Sequence, residues 1–213
     1  MLQSIQDHPI MYLVALLLLG VCVFAWVKAT KSSKLRNQKR DAIIAELKRE
    51  KELRQAFKSP TLAQLEDSPP ARLIEGLCSF VQMHLEKQDD IETAFVDLPE
   101  AARFVYALGY VLHDGATNLS RFFRKNGQPL TGVAFEAVKK LMPEDYADVF
   151  CAQYTAYDED HEDISLVESE IAQLDQRHSD LVQQHGETLY IVAKDYILLS
   201  FAVFTSSLDN TFI

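Results

Sequence analysis

Between Ile10 and Val27 the chain carries eighteen residues without a formal charge, rich in Leu and Val. At ~1.5 Å per helical residue the run reaches about 27 Å, close to the hydrocarbon thickness of a bilayer, so it is expected to form a single spanning helix. The pattern then changes. Over residues 34–58, Ile43, Ile44, Leu47, Leu53 and Phe57 fall within one half of a helical wheel and charges cover the rest. This predicts an amphipathic connecting helix, ended by Lys58-Ser59-Pro60.

Beyond the connector the helical period dominates. Ser68-Pro69-Pro70 places a capping residue before prolines, and Leu73, Ile74, Leu77, Cys78, Val81 and Leu85 follow at helical spacing until Gln88-Asp89-Asp90 breaks them. Asp97 to Glu100 has the arrangement of a capping box and opens a helix from Ala101 to Leu112 whose one charge is Arg103. A helix apolar nearly all round belongs at the centre of a fold, and Gly115 is placed to end it. A short segment from Asn118 closes at the turn Asn126-Gly127-Gln128-Pro129, after which Thr131 is expected to cap a helix from Gly132 to Leu141. Pro143 starts another, with Tyr146, Val149, Phe150, Gln153, Tyr154 and Tyr157 on one face.

The most regular pattern follows an acidic run. Ile164, Val167, Ile171, Leu174, His178, Leu181 and His185 alternate spacings of three and four, a heptad seam that must pack along its length. Its two histidines are expected at the edge of a helix contact; imidazoles seven residues apart also suit metal binding or pH sensing, but no HExxH or Cys-His ligand spacing accompanies them. Leu189 to Phe204 is a second apolar run, read as a buried helix with Lys194 and Asp195 at its wet edge, because two ionisable groups near the middle of a bilayer are costly. With seven glycines, no recurrent alternation and no Gly-rich phosphate loop, the expected class is all-α. The expected division is an anchor over 1–30, a basic connecting helix over 31–60 and an acidic all-helical domain over 61–213.

Charge orients this layout. Residues 28–58 hold eleven Lys/Arg against four acids, a net of +7, whereas residues 59–213 carry a net of −16. Asp7 precedes the apolar run and Lys28, Lys31, Lys34, Arg36, Lys39 and Arg40 follow it, while Tyr12 and Trp26 lie near its ends. The positive-inside rule then puts the C-terminal side in the cytoplasm, with an inner-membrane location. A cleaved leader is the competing reading, but Asp7 stands where a positive leader is wanted. The basic residues either fix topology alone or hold anionic headgroups, so membrane lipid is one expected partner. Direct nucleic-acid binding is not expected, since no aromatic residues interleave with these cations. Cys22, Cys78 and Cys151 read as buried small hydrophobes in a reducing compartment.

No catalytic constellation assembles. His113-Asp114 with Ser120 has residue types used in nucleophilic catalysis, without a recognisable spacing. Asp158, Asp160 and Glu162 begin like a calcium loop, yet Asp163 stands where Gly is required and Ser169 where the bidentate Glu belongs. The chain is expected to be no enzyme and to need no cofactor or metal.

Leu98-Pro-Glu-Ala-Ala-Arg-Phe-Val-Tyr106, then Leu119-Ser-Arg-Phe-Phe-Arg-Lys-Asn126, then Ala134-Phe-Glu-Ala-Val-Lys-Lys-Leu141 run in an order that resembles the C-terminal domain of the bacterial DNA-mimic protein family. The similar region covers about residues 97–157, and Ser120, Phe122, Phe123 and Asn126 match well. Gly115-Ala-Thr-Asn118 stands where the family has Asn-Asn-Gly-Gly, so the feature served by paired glycines is not carried over. The resemblance implies an all-helical protein without an enzyme site that presents acids to a basic, nucleic-acid-binding partner. A mimic needs a fixed carboxylate array, since duplex DNA carries about one charge per 1.7 Å. Asp158, Glu159, Asp160, Glu162, Asp163, Glu168 and Glu170 are the densest candidates. The same acids also suit a solvated linker and a helix N-terminus without any partner. The leading expectation is a membrane-anchored module binding a protein partner; the alternative is a homo-oligomeric scaffold associating through the connector and the heptad helix.

Overall fold

The computed structural model describes residue 28 and residues 36–116, 118–157 and 168–209, with side chains through Phe201. The apolar run 10–27 with Tyr12, Cys22 and Trp26 lies outside the described residues. So do Lys31, Lys34, the acidic run from Asp158 to Asp163 with His161, and the first two seam positions, Ile164 and Val167. The protein is all-α, and no strand occurs among the described residues. No described helix is long and apolar enough to cross a membrane.

The chain divides into residues 1–52 and 53–213. In the first unit residues 36–52 are helical, and Ile43, Ile44 and Leu47 stand exposed. The second unit opens with a helical turn over 53–56. Nine described helices follow: α1 (Leu62–Asp67), α2 (Pro70–Leu85), α3 (Ile91–Asp97), α4 (Glu100–Asp114), α5 (Leu119–Lys125), α6 (Leu130–Leu141), α7 (Glu144–Ala156), α8 (Glu168–His185) and α9 (Thr188–Asp209).

Helix α4 is the hub, packing on α2, α5, α6 and α9. Its composition suits that place: ten of its fifteen residues are buried, and only the strip Glu100, Arg103, Tyr106, Tyr110 and His113 reaches water. Two glycines permit close approaches. A Cβ at Gly109 of α4 would lie 2.9 Å from Cys78 Sγ on α2, and one at Gly76 would lie 2.4 Å from the Phe57 ring. Phe57 is thereby a core residue of the second unit, and Arg54 forks onto Glu86 through hydrogen bonds of 2.8 and 2.9 Å.

Several expected caps are replaced by others. Ser68 does not cap α2; its hydroxyl donates to Gln64 O and closes α1, leaving Pro69 at the N-cap of α2. The capping box over Asp97 to Glu100 is absent because Asp97 is the last residue of α3 and Pro99 takes the N-cap of α4. Thr131 lies inside α6, buried, and the Gln128 side chain accepts from Gly132 N instead. Gly115 does end α4, its N–H bonded to Val111 O. The short helices α1 and α3, unmarked by periodicity, are capped by Thr61 and Asp90, whose side chains take the first free N–H groups.

Helix α9 runs over α1, α2, α4 and α6. Leu189, Ala193 and Ile197 are buried, Asp195 is exposed, and the half-buried Lys194 donates to Glu66 O and Ser68 O at 2.7 Å each. The ammonium thus sits at a wet edge, satisfying carbonyls at the end of α1 that lack helical donors.

Candidate functional site

The acidic candidates that the structure describes belong to α8, so the mount of α8 decides whether they are fixed. Three polar clasps hold it. Asp175 accepts from Ser120 N at 2.9 Å, from Ser120 Oγ at 2.7 Å and from Gln153 Nε2 at 2.9 Å. Gln153 Nε2 also donates to Ser120 Oγ at 2.8 Å. Ser120 is the second residue of α5, so the carboxylate also satisfies an N–H that has no intrahelical partner. Farther along, His178 Nε2 lies 3.0 Å from Tyr146 Oη, and His185 Nε2 lies 2.9 and 3.0 Å from the two Asp145 oxygens.

The pairs 145 with 185, 146 with 178 and 153 with 175 run in opposite senses, so α7 and α8 are antiparallel. Along the same helix Ile171 and Leu181 are buried and Leu174 and Val182 half-buried. The heptad seam is therefore real from Ile171 onward, with one correction: His178 is not at the edge of the contact but fully inside it, at 0 % exposure. Burial pulls its pKa down to about 4, against the opposing pull of the Asp175 charge, and the ring is neutral at pH 7. Burial likewise raises the Tyr146 phenol, while the hydrogen bond from His185 lowers the Asp145 carboxyl. Gln153 Oε1 and His178 Nδ1 are buried without a hydrogen-bond partner among the described residues.

Glu168 and Glu170, expected in the acidic array, are exposed on the first turn of α8, where the helix N-terminus favours negative charge. Asp158, Glu159, Asp160, Glu162 and Asp163 are outside the described residues. Helix packing sets acids of two helices on one rigid pair, Glu168 and Glu170 at one end and Glu144 at the other. Glu144 and Asp148 on α7 and Asp180 on α8 are also exposed. Together α7 and α8 carry seven carboxylates and one guanidinium, that of Arg177. Spacing within one helix carries no signal for this; only the antiparallel pairing does.

Ser120 is bonded elsewhere than to His113 and Asp114. Ser120 is committed to Asp175 and Gln153, whereas Asp114 accepts from Lys125 Nζ at 2.9 Å and lies 3.4 Å from the exposed His113. Cys78 is half-buried, its thiol directed 3.8 Å from Tyr106 O and pushed up to about 12 by burial, so it is no ready nucleophile. No group of metal-ligating side chains occurs among the described residues. Of the basic collar, Lys28, Arg36, Lys39 and Arg40 are helical and exposed, and Arg40 reaches Asp41 at 3.4 Å. Comparison of the chain with family models, with curated proteins and with solved structures matched none of them.

Proposed function

We propose that this chain is a membrane-tethered interaction module whose acidic helical body binds a basic protein partner on the cytoplasmic side. The observation that carries the reading is the α7–α8 pair: two helices clasped at Ser120, Tyr146 and Asp145 that expose Glu144, Asp148, Glu168, Glu170 and Asp180. Carboxylates fixed on rigid elements keep their spacing in the absence of a partner. Binding then spends little entropy on ordering them, unlike acids on a free linker. The run Asp158 to Asp163 joins these two helices in sequence and carries five further acids. A partner that ordinarily binds nucleic acid fits such an array, in keeping with the resemblance to the DNA-mimic family. The module is not an enzyme in this reading, and the apolar run 10–27 is its anchor.

Self-association through the heptad helix has less to use. Ile171, His178 and Leu181 are buried within the body, so the described seam offers no apolar stripe to a second copy.

The test is capture of partners by the full chain from solubilised membranes, beside a variant with Glu144→Gln, Asp148→Asn, Glu168→Gln, Glu170→Gln and Asp180→Asn. The expected result is a partner retained at low salt, released at high salt and absent with the variant, since exposed charge pairs are screened over about 8–10 Å. Partners held equally by the variant overturn the reading.

A further inference from the structure

The helix over residues 36–52 leaves Ile43, Ile44 and Leu47 exposed at 61 %, 42 % and 58 %. With about 100° of turn per residue, and Ile43 as origin, Arg36, Leu47, Arg40, Lys51, Ile44, Asn37 and Lys48 follow in that angular order within about 140°. No carboxylate falls in this sector. Asp41, Glu46, Glu50 and Glu52, the four acids of this stretch, all lie outside it. Arg40 does contact Asp41 across the sector's boundary, but the pair is long at 3.4 Å and both side chains are mostly exposed, so it constrains the guanidinium little.

Three large aliphatics interspersed with four cations, free of acids, form a face with a definite chemistry. A second copy of this helix would bring cations against cations. An apolar protein groove would strand them away from counter-charge. An interface between acyl chains and anionic headgroups serves both kinds of side chain at once, because Lys and Arg lay their stems along apolar surface while their heads reach phosphate. We infer that this face lies on an anionic lipid surface, with Ile43, Ile44 and Leu47 dipping below the headgroups and Arg36, Arg40, Lys48 and Lys51 engaging them. The inference rests on the tethered reading above, and goes beyond it in making the connector a lipid-binding element.

Hydrogen exchange on the full chain in nanodiscs, one copy per disc, tests it. In discs containing phosphatidylglycerol, amide exchange over 36–52 is expected to be about tenfold slower than in phosphatidylcholine discs, the scale of a modest local stabilisation. High salt, the triple variant Ile43→Gln, Ile44→Gln, Leu47→Gln, and the charge variant Arg36→Gln, Arg40→Gln, Lys48→Gln, Lys51→Gln are each expected to remove the difference. A chain that enters both discs but exchanges equally in them overturns the lipid assignment and leaves the anchor standing. Protection that ignores lipid charge and grows with copies per disc assigns the face to a second chain instead. A chain that enters neither disc overturns the tethered reading, and this placement with it.

Discussion

His178 and Asp175 show how single residues set the behaviour of α8. The His178 pKa of about 4 lies below its ordinary value near 6.5, so between those values the unfolded chain binds a proton that the native chain refuses. Stability contributed by the neutral ring is complete above 6.5 and is lost as pH falls toward 4, by roughly 3 kcal/mol at most. Asp145 acts lower on the scale: its carboxyl is depressed, so its contribution is present above the unfolded value and lost as pH falls through the folded one. Urea melts at pH 7 and pH 4.5 are expected to differ accordingly, and His178→Gln to flatten the dependence between 6.5 and 4.5. An unchanged slope in that variant would place the acid sensitivity elsewhere. Asp175→Ala removes the acceptor of Ser120 N, Ser120 Oγ and the Gln153 amide together, and is expected to cost about 3 kcal/mol in chemical denaturation. The seam position of His178 was legible along the chain, but its full burial and the Asp175 clasp were not. Asp175 pairs with groups 55 and 22 positions away, and its own place beside Leu174 reads as an ordinary polar neighbour of a seam.

At the scale of elements, periodicity read the long helices well and their ends poorly. The seam from Ile171 to His185, the apolar α4 and the Tyr146 face of α7 all emerged, because burying one stripe repeats a residue type every three or four positions. Helices α1 and α3, with six and seven residues, are too short to show a period, and their caps Thr61 and Asp90 were the only marks they left. The caps at Ser68 and Asp97 went astray for a related reason. Each is a residue type that favours caps, but Ser68 closes α1 and Asp97 is the last residue of α3, so neither starts the next helix. Close helix contacts yield the element-scale prediction. Gly76→Ala places a methyl 2.4 Å from the Phe57 ring and is expected to destabilise the body by about 1–3 kcal/mol in denaturant melts. Phe57→Leu in the same chain is expected to return part of that loss, so the double variant costs less than the sum of the singles. Strict additivity would mean that the ring and Gly76 are not coupled.

For the whole molecule the decisive quantity is the excess of negative charge on the second unit, where residues 53–213 carry twelve Lys/Arg and twenty-six Asp/Glu. Such an excess has two consequences of opposite sign in salt. Like charges repel within the folded body, so screening is expected to raise the midpoint of thermal unfolding by a few degrees between low salt and ~0.5 M, where the screening length drops below about 5 Å. Attraction to a basic partner is screened by the same ions, so binding is expected to weaken over that range. A coat of acids that serves only solubility has the first response without the second. The charge-neutralised α7–α8 variant separates them further: removing five exposed carboxylates relieves repulsion but takes favourable charge from the first turns of α7 and α8, so the stability of the body at low salt is expected to change little. Its partner binding should nevertheless be lost. Thermal melts and binding isotherms on the same chain, taken across salt, measure both responses. A variant that loses binding only in proportion to lost stability would assign the acids to folding, and a variant that keeps both would make them a coat.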